Sequence, residues 1–176
     1  MTNQGKSKLY REAVTMANIR IKKVKIAEKV NKIIMTYERY VNDQYDEYTF
    51  NSSEMAAPEF YDSFKKLSEH ATALCEFPAG FKDRVNVYGI SFSYSGESDV
   101  MGATMSMKVN LEYSNTDLII NTPHKKSAPD GEEEFDENMY LSEQCVKDLW
   151  AVEQEARKYI DGKRAQASLF NPDTAA

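Results

Sequence analysis

Cysteine, histidine and tryptophan are scarce in this 176-residue chain, with two, two and one copies, and each shortage closes off a chemistry. Cys75 and Cys145 lie far apart, as do His70 and His124, so no Cys/His spacing frames a zinc site and no cofactor is expected. Each cysteine falls inside a predicted amphipathic helix, which reads as two free thiols in a reducing compartment. Glycine and proline are few, seven and five. No Gly-rich phosphate loop opens a helix, and no nucleophile elbow occurs. No apolar run approaches a membrane span, and Met1-Thr2-Asn3-Gln4 begins no signal peptide. A cytoplasmic protein without a membrane partner is therefore expected. A two-metal nuclease would need paired carboxylates with a lysine two residues on, and Glu112 on the longest predicted strand lacks that lysine. The chain reads as a non-enzyme, with a metal-dependent nuclease third among its readings.

What is present begins with uneven charge. Residues 1–32 carry a balance of +7 and the remainder −13, against a net −6. A basic arm on an acidic body points to nucleic-acid contact through Arg20, Lys22, Lys23, Lys25, Lys29 and Lys32. The competing reading is a solvated strand whose lysines blunt an exposed sheet edge.

Hydrophobic pattern then divides the chain. Residues 1–18 form a basic flexible lead-in, 19–161 a single α+β domain, and 162–176 a tail. Ile19 to Ile26 alternates as a strand whose phase slips between Ile21 and Val24, the mark of a bulge. Ile33 to Val41 and Tyr45 to Phe50 read as two more strands. Their aromatics, Tyr37, Tyr40, Tyr45, Tyr48 and Phe50, suit either cross-strand packing or base stacking. Pro58 opens a helix with a stripe of Phe60, Phe64, Leu67, Ala71, Leu74 and Cys75.

The strongest periodicity is a hairpin. Ile90, Phe92 and Tyr94 alternate with small residues, and Met101, Ala103, Met105, Met107, Val109, Leu111 and Tyr113 do the same on the far side of Ser95–Asp99. Placing Tyr94 opposite Met101 makes both apolar faces coincide and buries Met105 and Leu111. Leu118–Ile120 is a short strand, and 124–138 is a loop with an acidic run. Ser142 caps a last helix whose stripe is Cys145, Leu149, Val152, Ala156 and Tyr159, with Leu141 and Val146 as a staple. The order βββα-βββα, a loose repeat over 19–77 and 85–161, implies antiparallel sheet with a long central hairpin and two covering helices.

Beyond Gly162 stands Gln166-Ala167-Ser168-Leu169-Phe170. It resembles the linear motif by which bacterial replication and repair proteins dock on the DNA polymerase sliding clamp. Gln166, Ser168, Leu169 and Phe170 are its candidate contacts. Burying Leu169 and Phe170 would contribute roughly 1.5–3 kcal/mol each, and a Gln166 hydrogen bond about 0.5–1.5 kcal/mol. Less the ordering entropy of a tail, the sum corresponds to an affinity on the order of micromolar. The alternative is a tail folded back on its own sheet. A homo-oligomer would gain avidity on a ring that repeats its pocket.

Three blocks, Val87-Tyr88-Gly89-Ile90-Ser91-Phe92-Ser93-Tyr94, Val100-Met101-Gly102-Ala103-Thr104 and Leu118-Ile119-Ile120-Asn121-Thr122-Pro123-His124-Lys125, resemble uncharacterised phage and prophage proteins. Those proteins similarly close with Tyr-Ile-Asp-Gly-Lys-Arg-Ala-Gln and a Leu-Phe, as Tyr159 to Phe170 does here. The likeness spans roughly residues 55 to 170. It carries no activity or catalytic residue. It implies a phage origin, hence the host bacterial cytoplasm, and a place in DNA replication or recombination. Two main readings follow: a non-enzymatic accessory or regulatory protein docked on the host clamp, or a single-stranded nucleic-acid binding or annealing protein using the basic strand. The polar Asn121–Lys125 block is the one loop read as a site, against a plain strand-ending turn.

Overall fold

The computed structural model describes residues 19–95, 100–128 and 136–165. The lead-in 1–18, most of the Ser95–Asp99 turn, the centre of the acidic run and the motif at Gln166–Phe170 lie outside the described residues. Strands β1 (Ile19–Ala27), β2 (Lys32–Val41) and β3 (Gln44–Ser52) form one antiparallel meander. Strands β4 (Val85–Ser95), β5 (Val100–Val109) and β6 (Leu118–Asn121) form another. The two join antiparallel through β1 and β4, in the order β3-β2-β1-β4-β5-β6, and β7 (Lys125–Lys126) pairs with β5. Helices α1 (Pro58–Lys65) and α2 (Leu67–Leu74) follow the first meander, and α3 (Glu143–Ile160) follows the second. The α+β class with antiparallel sheet is as expected.

Alternation decides which sheet face is covered. Ile21, Val24, Met35, Val87, Ile90, Met105 and Met107 all point to one side and are at most 2% exposed. Against them pack Phe60, Phe64, Leu67 and Ala71 of α1–α2 and Cys145, Leu149, Val152, Ala156 and Tyr159 of α3. The phase slip in β1 is a true bulge: the pairing with β2 shifts between Ile21 and Lys23. It returns Val24 to the core and leaves Lys22 and Lys23, adjacent in sequence, both off it. In the central hairpin, Tyr94 faces Met101, Phe92 faces Ala103 and Ile90 faces Met105, the expected register.

Four expectations change. The first helix is broken at Lys66, whose φ/ψ of −63°/−22° tightens one turn without leaving helical space, so its apolar stripe stays on one side. Three helices, not two, cover the sheet. Leu111 is 41% exposed and Tyr113 93% exposed, because β5 ends at Val109 and its last tie to the neighbouring segment is the Asn110–Arg84 bond, one residue before Leu111. The loop read over 124–138 contains β7, where Lys125 and Lys126 pair with Ala103 and Gly102. Finally, the lysine-rich β1 is central in the sheet; the edges are β3 and β6. Its lysines therefore protect no edge.

α3 is capped at both ends. The Ser142 hydroxyl accepts from the Cys145 amide at 3.2 Å. Leu141 is buried and Val146 packs against the core, as a staple requires. At the other end Gly162 takes φ +103°, the Lys163 amide donates to Lys158 and the Gly162 amide to Tyr159, satisfying the last carbonyls. Among the described residues no helix is long and apolar enough to cross a membrane.

Candidate functional site

The C-terminal exit is built on Tyr159. Its ring is buried at the end of the α3 stripe and packs edge-on against Phe50, while its hydroxyl donates to the Glu54 carbonyl at 2.5 Å. The Arg164 guanidinium lies over the same ring, 3.7 Å from its centroid, donates to the Tyr159 carbonyl, and reaches Glu54 Oε2 at 2.7 Å. Lys163 sits between Glu155 and Glu59, at 3.3 and 3.4 Å. The Ala165 amide then donates to the Met55 carbonyl at 3.0 Å. The chain is thus held to the body as far as Ala165, three residues beyond the helix-ending glycine. Gln166, Ser168, Leu169 and Phe170 come directly after, outside the described residues.

The other notable surface is the sheet face that no helix covers. Arg20, Lys22, Lys23 and Lys25 lie on it, along the central strand β1. Glu38 pairs with Arg20 at 3.8 Å and Lys22 at 3.3 Å, and Glu28 pairs with Lys108 at 2.6 Å. Lys23 and Lys25 make no ion pair among the described residues. Tyr88, the extra residue of a second bulge between Val87 and Gly89, lies 5.8 Å from the Lys25 ammonium and 5.6 Å from that of Lys108. Lys29 and Lys32, also read as contacts, are exposed on and beside the β1–β2 turn rather than in this row. The five aromatics divide: Tyr40 and Tyr45 pair at 4.8 Å on the open side, whereas Tyr37 stacks on Tyr48 and Phe50 meets Tyr159 on the helix side.

The Asn121–Lys125 block closes onto this face. Thr122, 3% exposed, exchanges two bonds with Met105: its amide donates to the carbonyl at 2.9 Å, and its hydroxyl accepts the amide at 3.0 Å. With β7 on its other side, His124 is seated over β5, its Nε2 2.8 Å from Ser93 Oγ. A Cβ on Gly102 would come within 2.5 Å of that oxygen and 2.7 Å of that nitrogen, so glycine there is what admits the imidazole. Asn121 Oδ1 accepts from Ser106 on the same face at 2.8 Å. The pairing of Ser93 with His124 has no signature in sequence, since thirty residues and a strand order separate them; only the polar block itself was visible.

Two carboxylates on α3 also escaped sequence reading. Glu153 is fully buried; burial pushes its pKa up, against the opposing pull of Arg157 at 2.5 Å. Burial opposes the charge on Asp148, but hydrogen bonds from His70 at 2.8 Å and Gln144 at 3.2 Å outweigh it and hold its pKa down. The Cys145 thiol is raised by burial and then by Asp148 to about 12. Beside this cluster is a cleft of about 710 Å³, bordered by His70, Leu74, Lys125, Tyr140 and Ser142. A smaller one of about 410 Å³ lies between Ile33, Met55, Tyr61 and Tyr88. Among the described residues no three His, Cys, Asp or Glu side chains are grouped to hold a metal ion. No protein-family model matches the chain, and no curated protein or solved structure is significantly similar to it.

Proposed function

We propose that this is a phage-type, non-enzymatic accessory or regulatory protein of DNA replication or recombination that docks on the bacterial sliding clamp through Gln166, Ser168, Leu169 and Phe170. The observation that supports the reading is the fixed exit. Arg164 and Ala165 are tied to Tyr159, Glu54 and Met55, so the motif starts at a defined point on the surface, with no slack before it. A short linear motif carries its contacts locally, and an anchored start limits the entropy lost when it docks.

The test is the full chain titrated against a bacterial clamp, wild type beside Leu169→Ala/Phe170→Ala. Binding on the order of micromolar should be lost in the double variant, both apolar anchors being gone. Gln166→Ala should weaken binding about tenfold, the equivalent of one hydrogen bond near 1.4 kcal/mol. Thermal melting should be the same in all three. Normal clamp binding by the double variant would overturn the proposal, and so would its unfolding, which would make Leu169 and Phe170 part of the core.

A further inference from the structure

The uncovered face has a consistent relief. Along β4 and β5 its residues are Gly89, Ser91, Ser93, Gly102, Thr104 and Ser106, a low floor of hydrogens, hydroxyls and one methyl. One side of this floor is bounded by Lys23 and Lys25, which sit opposite Ser91 and Gly89 on β1. The other is bounded by His124, held by Ser93, and by Lys126, opposite Gly102 on β7. Three cations of this face, Arg20, Lys22 and Lys108, are matched by Glu38 and Glu28. Among the described residues Lys23, Lys25 and Lys126 have no carboxylate partner. A chain of net charge −6 thus sets three unmatched cations on the two sides of one strip of hydroxyls.

We propose that this face binds single-stranded nucleic acid, its sugar–phosphate backbone lying along the Ser/Thr/Gly floor between Lys23 and Lys25 on one side and His124 and Lys126 on the other. Charge complementarity selects a polyanion, and the hydroxyls supply neutral donors to phosphate oxygens. The aromatic rings select a nucleic acid over an acidic polypeptide. Tyr88 stands beside Lys25 and Lys108, and Tyr40 and Tyr45, 39% and 51% exposed, stand at the far end of the same face past Arg20. Cations interleaved with rings are the arrangement that tracks a backbone while stacking bases. Breadth selects single strands: a duplex presents its bases inside grooves that a face six strands wide cannot enter, whereas splayed bases lie down on it.

The experiment is fluorescence anisotropy of the full chain with a labelled oligothymidine of about 16 nucleotides, across a salt series. Wild type should bind with a clear salt slope. Lys23→Glu/Lys25→Glu should lower affinity at least tenfold and flatten the slope by about 1.4, two phosphate contacts on a single strand. Ser91→Glu, an exposed floor position needing no repacking, should act in the same direction if the double variant folds poorly. Lys147→Glu, on the outer side of α3, should change nothing. A chain ending at Ala165 should bind as wild type does, which separates this surface from the tail reading. The proposal fails if wild type does not bind, if Ser91→Glu binds normally, if a duplex of equal length binds as tightly, or if polyglutamate displaces the oligonucleotide charge for charge.

Discussion

A single absent methyl group decides the shape of the open face. At Gly102 any Cβ would meet Ser93 Oγ and His124 Nε2, and both of those atoms belong to the ends of side chains that can move. Gly102→Ala should therefore unseat His124 rather than unfold the sheet. The measurable result is a shift of the His124 ring resonances with little change in melting temperature. Cys145 makes the complementary point. Burial and the charge of Asp148 raise its thiol to about 12, leaving almost no thiolate at neutral pH. Native protein at neutral pH should take up alkylating reagent at Cys75 well before Cys145, and denaturant should abolish the difference. The two free thiols were visible as residues, but their unequal environments were not, because burial depends on which helix face meets which strand.

Within one element, α3 carries two carboxylates with opposite pH behaviour. Glu153 is raised above its ordinary 4.5, so its contribution to stability is present below that value and lost as pH rises through its folded pKa. Asp148 is lowered below its ordinary 3.8, so its contribution is present above that value and lost as pH falls. Urea denaturation across pH should show Glu153→Gln flattening the loss on the alkaline side of 4.5 and Asp148→Asn flattening the loss on the acid side. Strand β5 gives the clearest contrast between pattern and structure. Its alternation correctly set the register with β4, because a slip of one residue would turn Met105 and Met107 to water. The same alternation continued past Val109 and placed Leu111 in the core, since periodicity records what a strand would bury and not where its partner stops. Met105→Ala should cost about 2–5 kcal/mol and Leu111→Ala within about 0.5 kcal/mol. β7 was invisible for the opposite reason: two residues carry no period.

For the molecule as a whole, strand order turned a local charge pattern into a surface. The basic run of β1 was plain in sequence, but an edge strand and a central strand look alike there, and only the joining of the two meanders through β1 and β4 sets its lysines beside the hydroxyls of β4 and β5. The tail motif is the reverse case. It is legible as residues alone and begins where the described chain ends, one residue after the Ala165–Met55 bond. The most direct measurement is the affinity of a bacterial sliding clamp for the full chain and for the same chain ending at Ala165, read by calorimetry. Docking through the tail predicts binding on the order of micromolar for the first, none for the second, and equal melting temperatures for both. Equal clamp binding by the two chains, or no binding by either, would contradict it.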